Sequence, residues 1–165
     1  MKKLMVVLSL LFLSQQASAL CIPGICSCNI VTTGVAFGAF NPLTGTSHDS
    51  NGNVAFSCTG NPTIAGLLIP YTIALSKGGG ATYATRRMAS GTRYLTYNLY
   101  TDSARSIIWG DGTGGSSTTG GIMLLDLLGL GATTNFPIYG RVTSGQTTAV
   151  PGIYADTITV TVTYN

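Results

Sequence analysis

The sequence predicts an all-β sandwich of two facing sheets. Short runs alternate apolar with polar residues, turn residues separate those runs, and no stretch sustains a helical period. Val35, Phe37 and Ala39 alternate ahead of the turn signal Asn41-Pro42 and give the first strand. Gly45 to Gly52 is polar and reads as a loop. Val54, Phe56 and Cys58 share one face of the second strand, which ends at Gly60-Asn61-Pro62. Tyr71, Ile73 and Leu75 pattern a third, stopped by Gly78-Gly79-Gly80, and Leu95, Tyr97 and Leu99 a fourth. Ile107, Ile108 and Trp109 make a short fifth before the glycine-rich loop from 110 to 121. The apolar stretch from Ile122 to Leu130 is short and interrupted by Gly129, so it reads as strand or irregular core rather than helix. Phe136, Ile138, Gly140 and Val142 give a sixth strand. In the seventh, Ile158, Val160, Val162 and Tyr164 alternate with Thr157, Thr159, Thr161 and Thr163.

The chain divides into three parts. Lys2 and Lys3 precede an apolar run from 4 to 13, and Ala17-Ser18-Ala19 supplies the small residues of a cleavage site. Residues 1–19 therefore read as a secretory signal, with an apolar run too short to span a bilayer comfortably. Residues 20–27, LCIPGICS, form a short N-terminal segment, and 28–165 form the β domain. Leu20 ahead of Cys21 is too large for a lipidation signal.

After the leader, six basic residues face five aspartates, a net charge of +1, and glutamate is absent. That balance gives no electrostatic footprint for nucleic acid. The Arg86-Arg87 pair reads as solvated. Threonine, serine and glycine supply the polar positions, as suits an extracellular sheet protein.

Cys21, Cys26, Cys28 and Cys58 all follow the leader, so an oxidising compartment makes them up to two disulfides. Three pairings exist on paper. Cys28 to Cys58 would join two strands; Cys21 to Cys26 would then close the loop CIPGIC. The same four thiols as a zinc site have irregular spacing and the wrong compartment.

Catalytic sets are missing. His48 is a lone histidine in a polar stretch, and no Ser/His/Asp order or nucleophile elbow appears. Asp102 and Asp111 flank Trp109 as a hydrolase pair would, but the glycines beside Asp111 favour a turn. Asp49, Asn51 and Asn53 imitate part of a calcium loop; Val54 stands where such a loop needs glycine. Trp109 and Tyr100 read as core aromatics rather than a sugar-binding platform. The sequence therefore predicts no enzyme, no metal and no cofactor.

The last strand raises the functional question. An immunoglobulin-like sandwich ends on a strand that completes one sheet, yet here the chain stops at Asn165 directly after an inward stripe. An incomplete fold would leave a groove beside Ile158, Val160, Val162 and Tyr164, open to a strand from another chain.

Several segments carry a family resemblance: Cys28 with VAFGAFNP (35–42), NGNVAFSCTG (51–60), YNLYTD (97–102), IIWGDGTGG (107–115), IYGRV (138–142) and GIYADTITVTVTYN (152–165). In these the chain resembles the spore coat protein U domain family, which includes pilin subunits of archaic, Csu-type chaperone–usher pili in Gram-negative bacteria. The resemblance implies an incomplete immunoglobulin fold whose final strand comes from a partner. It implies a periplasmic chaperone, an outer-membrane usher and other pilus subunits as partners. It also implies export to the periplasm and then the cell surface, and a role in adhesion and biofilm formation. It implies a Cys28–Cys58 bond. The segment 20–27 is short for a donor strand and contains Pro23, which lacks an N–H, so the expected role is a minor or terminal subunit. The alternatives are a self-complete secreted coat protein and a carbohydrate-binding module. A surface ligand is not identified by the sequence.

Overall fold

Period-two alternation fixes which residues enter the core, and the computed structural model shows them meeting between two antiparallel sheets. The structure describes residues 26–38, 45–60, 68–124 and 132–164. Eight strands are present there: β1 (Cys26–Thr33), β2 (His48–Gly60), β3 (Leu68–Leu75), β4 (Arg87–Ser90), β5 (Arg93–Tyr100), β6 (Thr119–Leu124), β7 (Thr133–Val142) and β8 (Val160–Tyr164). One 3-10 turn, Tyr83–Thr85, precedes β4. The larger sheet has the order β1-β2-β7-β5-β4 and the smaller one β6-β3-β8. This two-sheet arrangement is that of an immunoglobulin-like β-sandwich.

The core sits between the sheets. Val54 and Phe56 of β2, Ile73 and Leu75 of β3, Leu95 and Leu99 of β5 and Val142 of β7 are all buried. Fully burying such side chains contributes about 1.5–3 kcal/mol each. Gly140 lets β7 accept two more: a Cβ there would collide with the side chains of Val35 and Phe37.

Several boundaries differ from the sequence reading. Ile107 to Trp109 is not a strand: Ile108 and Trp109 make only isolated bridges, to Tyr100 and Ser117. The glycine-rich loop ends early, because β6 starts at Thr119, and the last strand is shorter than its alternation, because β8 starts at Val160. The first strand is β1, 26–33, whereas Val35 and Phe37 belong to an unpaired segment that still turns both side chains toward the core. The polar stretch 48–53 is strand, not loop, because it pairs residue by residue with β7 from His48↔Val142 to Asn53↔Pro137. The Arg141 guanidinium donates to both Asp49 carboxylate oxygens at 2.7 and 2.8 Å across that pairing and holds the Asp49 carboxyl below its ordinary range. Asp49 therefore serves an ion pair in a strand and does not open a calcium loop. The 122–130 stretch begins as the end of β6; its remainder, with the turn signals at 41–42 and 61–62, lies outside the described residues.

Cys28 and Cys58 stand directly opposite each other in the β1–β2 register and are joined by a disulfide, with 3.9 Å between their Cα atoms. Cys21 lies outside the described residues, and with it the Cys21–Cys26 pairing. Replacing Cys28 and Cys58 together with alanine should destabilise the oxidised protein by about 2–4 kcal/mol, since the bond restricts the unfolded chain. Urea midpoints of the two proteins measure this; identical midpoints would show that the bond contributes no stability.

Candidate functional site

β8 is an edge strand. One side pairs with β3 in the register Tyr71↔Tyr164, Ile73↔Val162 and Leu75↔Val160. Among the described residues no strand pairs with its other side. The consequence appears in the side chains. Tyr71, Ile73 and Leu75 are buried, while their cross-strand partners Tyr164, Val162 and Val160 are only half-buried, although all six belong to the same inward stripe. Among the described residues, β8 has core on one flank and no pairing strand on the other.

A cleft of about 310 Å³ opens at the start of this strand. Ile158 and Val160 form one wall, Thr33, Val35 and Phe37 the other, and Leu99 and Ile138 lie at its base. The Phe37 ring packs edge-on against Tyr97 with centroids 5.9 Å apart, which fixes that wall. At the far end of the strand, the Tyr164 hydroxyl is buried and has no hydrogen-bond partner among the described residues. Burial raises its pKa. The Tyr164 ring lies beside Phe56, which in turn packs on Tyr71. The four residues expected to line an acceptor groove, Ile158, Val160, Val162 and Tyr164, thus all pack against the core from one edge.

The approach to β8 is tied down at both sheets. Ala155 exchanges backbone hydrogen bonds with Ala89 of β4 at 2.8 and 3.0 Å. Asp156 accepts from the Gly79 N–H at 2.9 Å, the Thr157 N–H at 2.8 Å and the Tyr97 hydroxyl at 2.7 Å. Gly78 makes room for this carboxylate; a Cβ there would occupy the same space. Burial, and then the Asp156 hydrogen bond, push the Tyr97 phenol far above its ordinary pKa. The chain then crosses to β3, where the Ser76 N–H donates to the Thr159 carbonyl at 2.9 Å.

Beneath this crossing lies a buried cation. Arg86 is 0% exposed, contrary to the reading of Arg86-Arg87 as a solvated pair. Its Nε and Nη2 donate to the Ser76 carbonyl at 3.0 and 2.8 Å, Nη2 to the Trp109 carbonyl at 2.6 Å, and Nη1 to Asn98 Oδ1 at 2.8 Å. The planar fork suits this set of fixed acceptors. Desolvation lowers the guanidinium pKa. Trp109, 1% exposed, donates its indole N–H to the Ile73 carbonyl at 3.0 Å. Its burial removes it from any sugar-binding surface. The flanking carboxylates are both used locally: Asp102 accepts from the Ser106 and Ile107 N–H groups, and Asp111 from Thr113.

The sequence reading missed Asp156 and Arg86. The signal for Asp156 was present, because it continues the inward phase of Ile158 and Val160 with a charge. Arg86 had no such signal, since its acceptors come from three distant segments.

The family model for the Spore Coat Protein U domain matches residues 18–161. The chain belongs to that family. Protein U of Myxococcus xanthus is 36% identical to this Spore Coat Protein U domain chain over 142 residues, covering 78% of this chain and 70% of Protein U. The fold is similar to a chain in the crystal structure of the CsuC–CsuE chaperone–tip adhesion subunit pre-assembly complex, from the archaic chaperone–usher Csu pili of Acinetobacter baumannii. The TM-score is 0.55 at 21% identity; the match covers 84% of this chain and 40% of that one.

Proposed function

We propose that this Spore Coat Protein U domain protein is a structural, non-catalytic subunit of a surface pilus, completed by a strand from another polypeptide. The observation that carries this reading is the flank of β8 that no strand pairs with among the described residues, beside the 310 Å³ cleft. An edge strand with a half-buried apolar stripe is a template for strand addition: backbone hydrogen bonds supply affinity and alternate side chains fill the groove. In this reading the leader 1–19 exports the chain to the periplasm, a chaperone lends the missing strand, an usher secretes the subunit, and another pilus subunit replaces the loan. The domain from 28 onward is the accepting unit, and the subunit is a minor or terminal one that serves adhesion and biofilm formation.

Expression of the processed protein alone should give aggregated material, and co-expression with a cognate periplasmic chaperone a soluble one-to-one complex. Removing Leu20 to Ile25 leaves β1 intact and should preserve both that complex and incorporation into fibres. A stable lone monomer that gains nothing from chaperone or apolar strand peptides would overturn the reading. A deletion that blocks addition of the next subunit would overturn the terminal position alone.

The name of the matching family, Spore Coat Protein U domain, supports a second reading, a surface-coat protein, taken here as self-complete. Its mark is that same stable monomer.

A further inference from the structure

β5 runs past the end of its neighbour. β7 pairs with it only from Tyr97↔Val142 onward. One step further out, the Gln146 side chain takes the place of a strand. The Thr96 N–H donates to its Oε1 at 2.6 Å, and its Nε2 donates to the Thr96 carbonyl at 2.8 Å. Gly145, at φ +78°, turns the chain aside and donates its N–H to the Gly45 carbonyl at 3.3 Å. Tyr94, the next position of the same phase, has no such cover. Its neighbour in β4, Ala89, exchanges both of its backbone bonds with Ala155, and bonded and non-bonded positions alternate along an antiparallel pair. The Tyr94 N–H and carbonyl therefore point away from β4, as those of Thr96 do, and meet no partner among the described residues.

A cleft of about 610 Å³ lies on this side of β5. Arg93 and Tyr94 form one wall; Gly145, Gln146 and Thr148 form the other. Two guanidinium groups flank it, and they differ. Arg87 donates to the Gly79 carbonyl at 2.9 Å and stands 4.1 Å over the Tyr94 ring. Arg93 is exposed and makes no hydrogen bond or ion pair among the described residues. No carboxylate lines the cleft, so its charge is positive and uncompensated. Tyr94 is 52% exposed and offers apolar surface beside its own free backbone groups.

We propose that this cleft binds an acidic saccharide of the uronate class. Arg93 takes the sugar carboxylate through its planar fork. The Tyr94 N–H donates to one hydroxyl of a vicinal pair, and the Tyr94 carbonyl accepts from the other. Gln146 is the precedent within the fold: one compact group with an acceptor beside a donor satisfies Thr96. A vicinal diol presents the same combination, because a hydroxyl both donates and accepts. A bare phosphate or sulfate would suit Arg93 but would set negative oxygens against the Tyr94 carbonyl. An extended peptide binds by adding several consecutive ladder positions, and Gln146 already fills the one next to Tyr94. This inference does not depend on strand acceptance at β8.

The test is titration calorimetry on the processed protein, chaperone-bound where the lone chain aggregates. The probes are trigalacturonate, its methyl ester and triaspartate. Trigalacturonate should bind roughly tenfold more tightly than the uncharged ester at low salt, and triaspartate more weakly than trigalacturonate. The preference over the ester should shrink as salt rises. In Arg93→Gln, trigalacturonate and ester should bind within about twofold of each other. The urea midpoint of that variant should match wild type, because Arg93 is exposed and bonded to nothing among the described residues. Equal affinities for trigalacturonate and ester in the unaltered protein, or no binding of either, would overturn the inference. A preference that survives Arg93→Gln would place the binding elsewhere and overturn it too. Triaspartate binding as tightly as trigalacturonate, with the same loss in Arg93→Gln, would make the ligand an acidic peptide and overturn the saccharide assignment.

Discussion

Replacing Arg86 with methionine should destabilise the sandwich by about 3–5 kcal/mol, a large share of a small domain's stability. Methionine approximates the apolar stem but donates nothing. The Ser76 and Trp109 carbonyls would lose their Arg86 donors, while Asn98 Oδ1 keeps the Leu99 N–H at 2.9 Å. A stranded buried acceptor costs about 1–3 kcal/mol. The opposing effect is real: removing the guanidinium also removes a desolvated charge. It does not win, because the acceptors belong to backbone that stays in place, and no substituted side chain reaches all of them. Arg86→Lys should lose less, since an ammonium can serve one or two of the carbonyls without the fork geometry. Urea titration of the chaperone complex, with wild type beside both variants, measures the order. Methionine within 0.5 kcal/mol of wild type would show that the network contributes little.

That network also marks the limit of what the sequence made legible. Strands β3, β5 and β7 could be read directly, because their inward residues alternate without interruption: Tyr71 to Leu75, Leu95 to Leu99, Ile138 to Val142. The open stripe of β8 was legible for the same reason. The first part of β2 was not, since HDSNGN carries every mark of a loop. Its strand character comes from β7 opposite and from the Asp49–Arg141 ion pair, partners 92 residues apart. β4 was hidden by brevity and by Arg87. Val35 and Phe37 were legible as an inward pair but not as unpaired backbone. Their alternation reports which way the side chains turn, and a neighbouring strand's presence is a separate fact. The groove shows the division clearly. Alternation located Ile158, Val160, Val162 and Tyr164, whereas the opposite wall and the Asp156 clamp depend on where segments cross in space.

Val160→Asp should reduce the yield of chaperone complex nearly to zero while leaving more of the lone fold than a fully buried charge would. The difference lies in where Val160 sits. It pairs with Leu75 and lines the cleft, but it is only half-buried, and among the described residues no strand pairs with the other flank of β8. An aspartate there still reaches water before a partner strand arrives. On the proposed strand-accepting reading, a partner strand would cover that carboxylate beside apolar side chains, at a cost of several kcal/mol. A loss of about 4 kcal/mol corresponds to roughly a thousandfold in affinity. Asp156, four residues away on the same face, adds like-charge repulsion and cannot offer a counter-charge. Val160→Ala separates the two contributions, because it trims the contact without adding charge and should leave a measurable complex. Thr161→Ser should behave almost as wild type, since Thr161 faces solvent. Peptide affinity and complex yield should therefore fall in the order Thr161→Ser, Val160→Ala, Val160→Asp. If Val160→Asp instead matched Thr161→Ser, the inward face of β8 would not be the surface that a partner covers. The cleft beside it would then be a feature of the lone domain rather than a binding site.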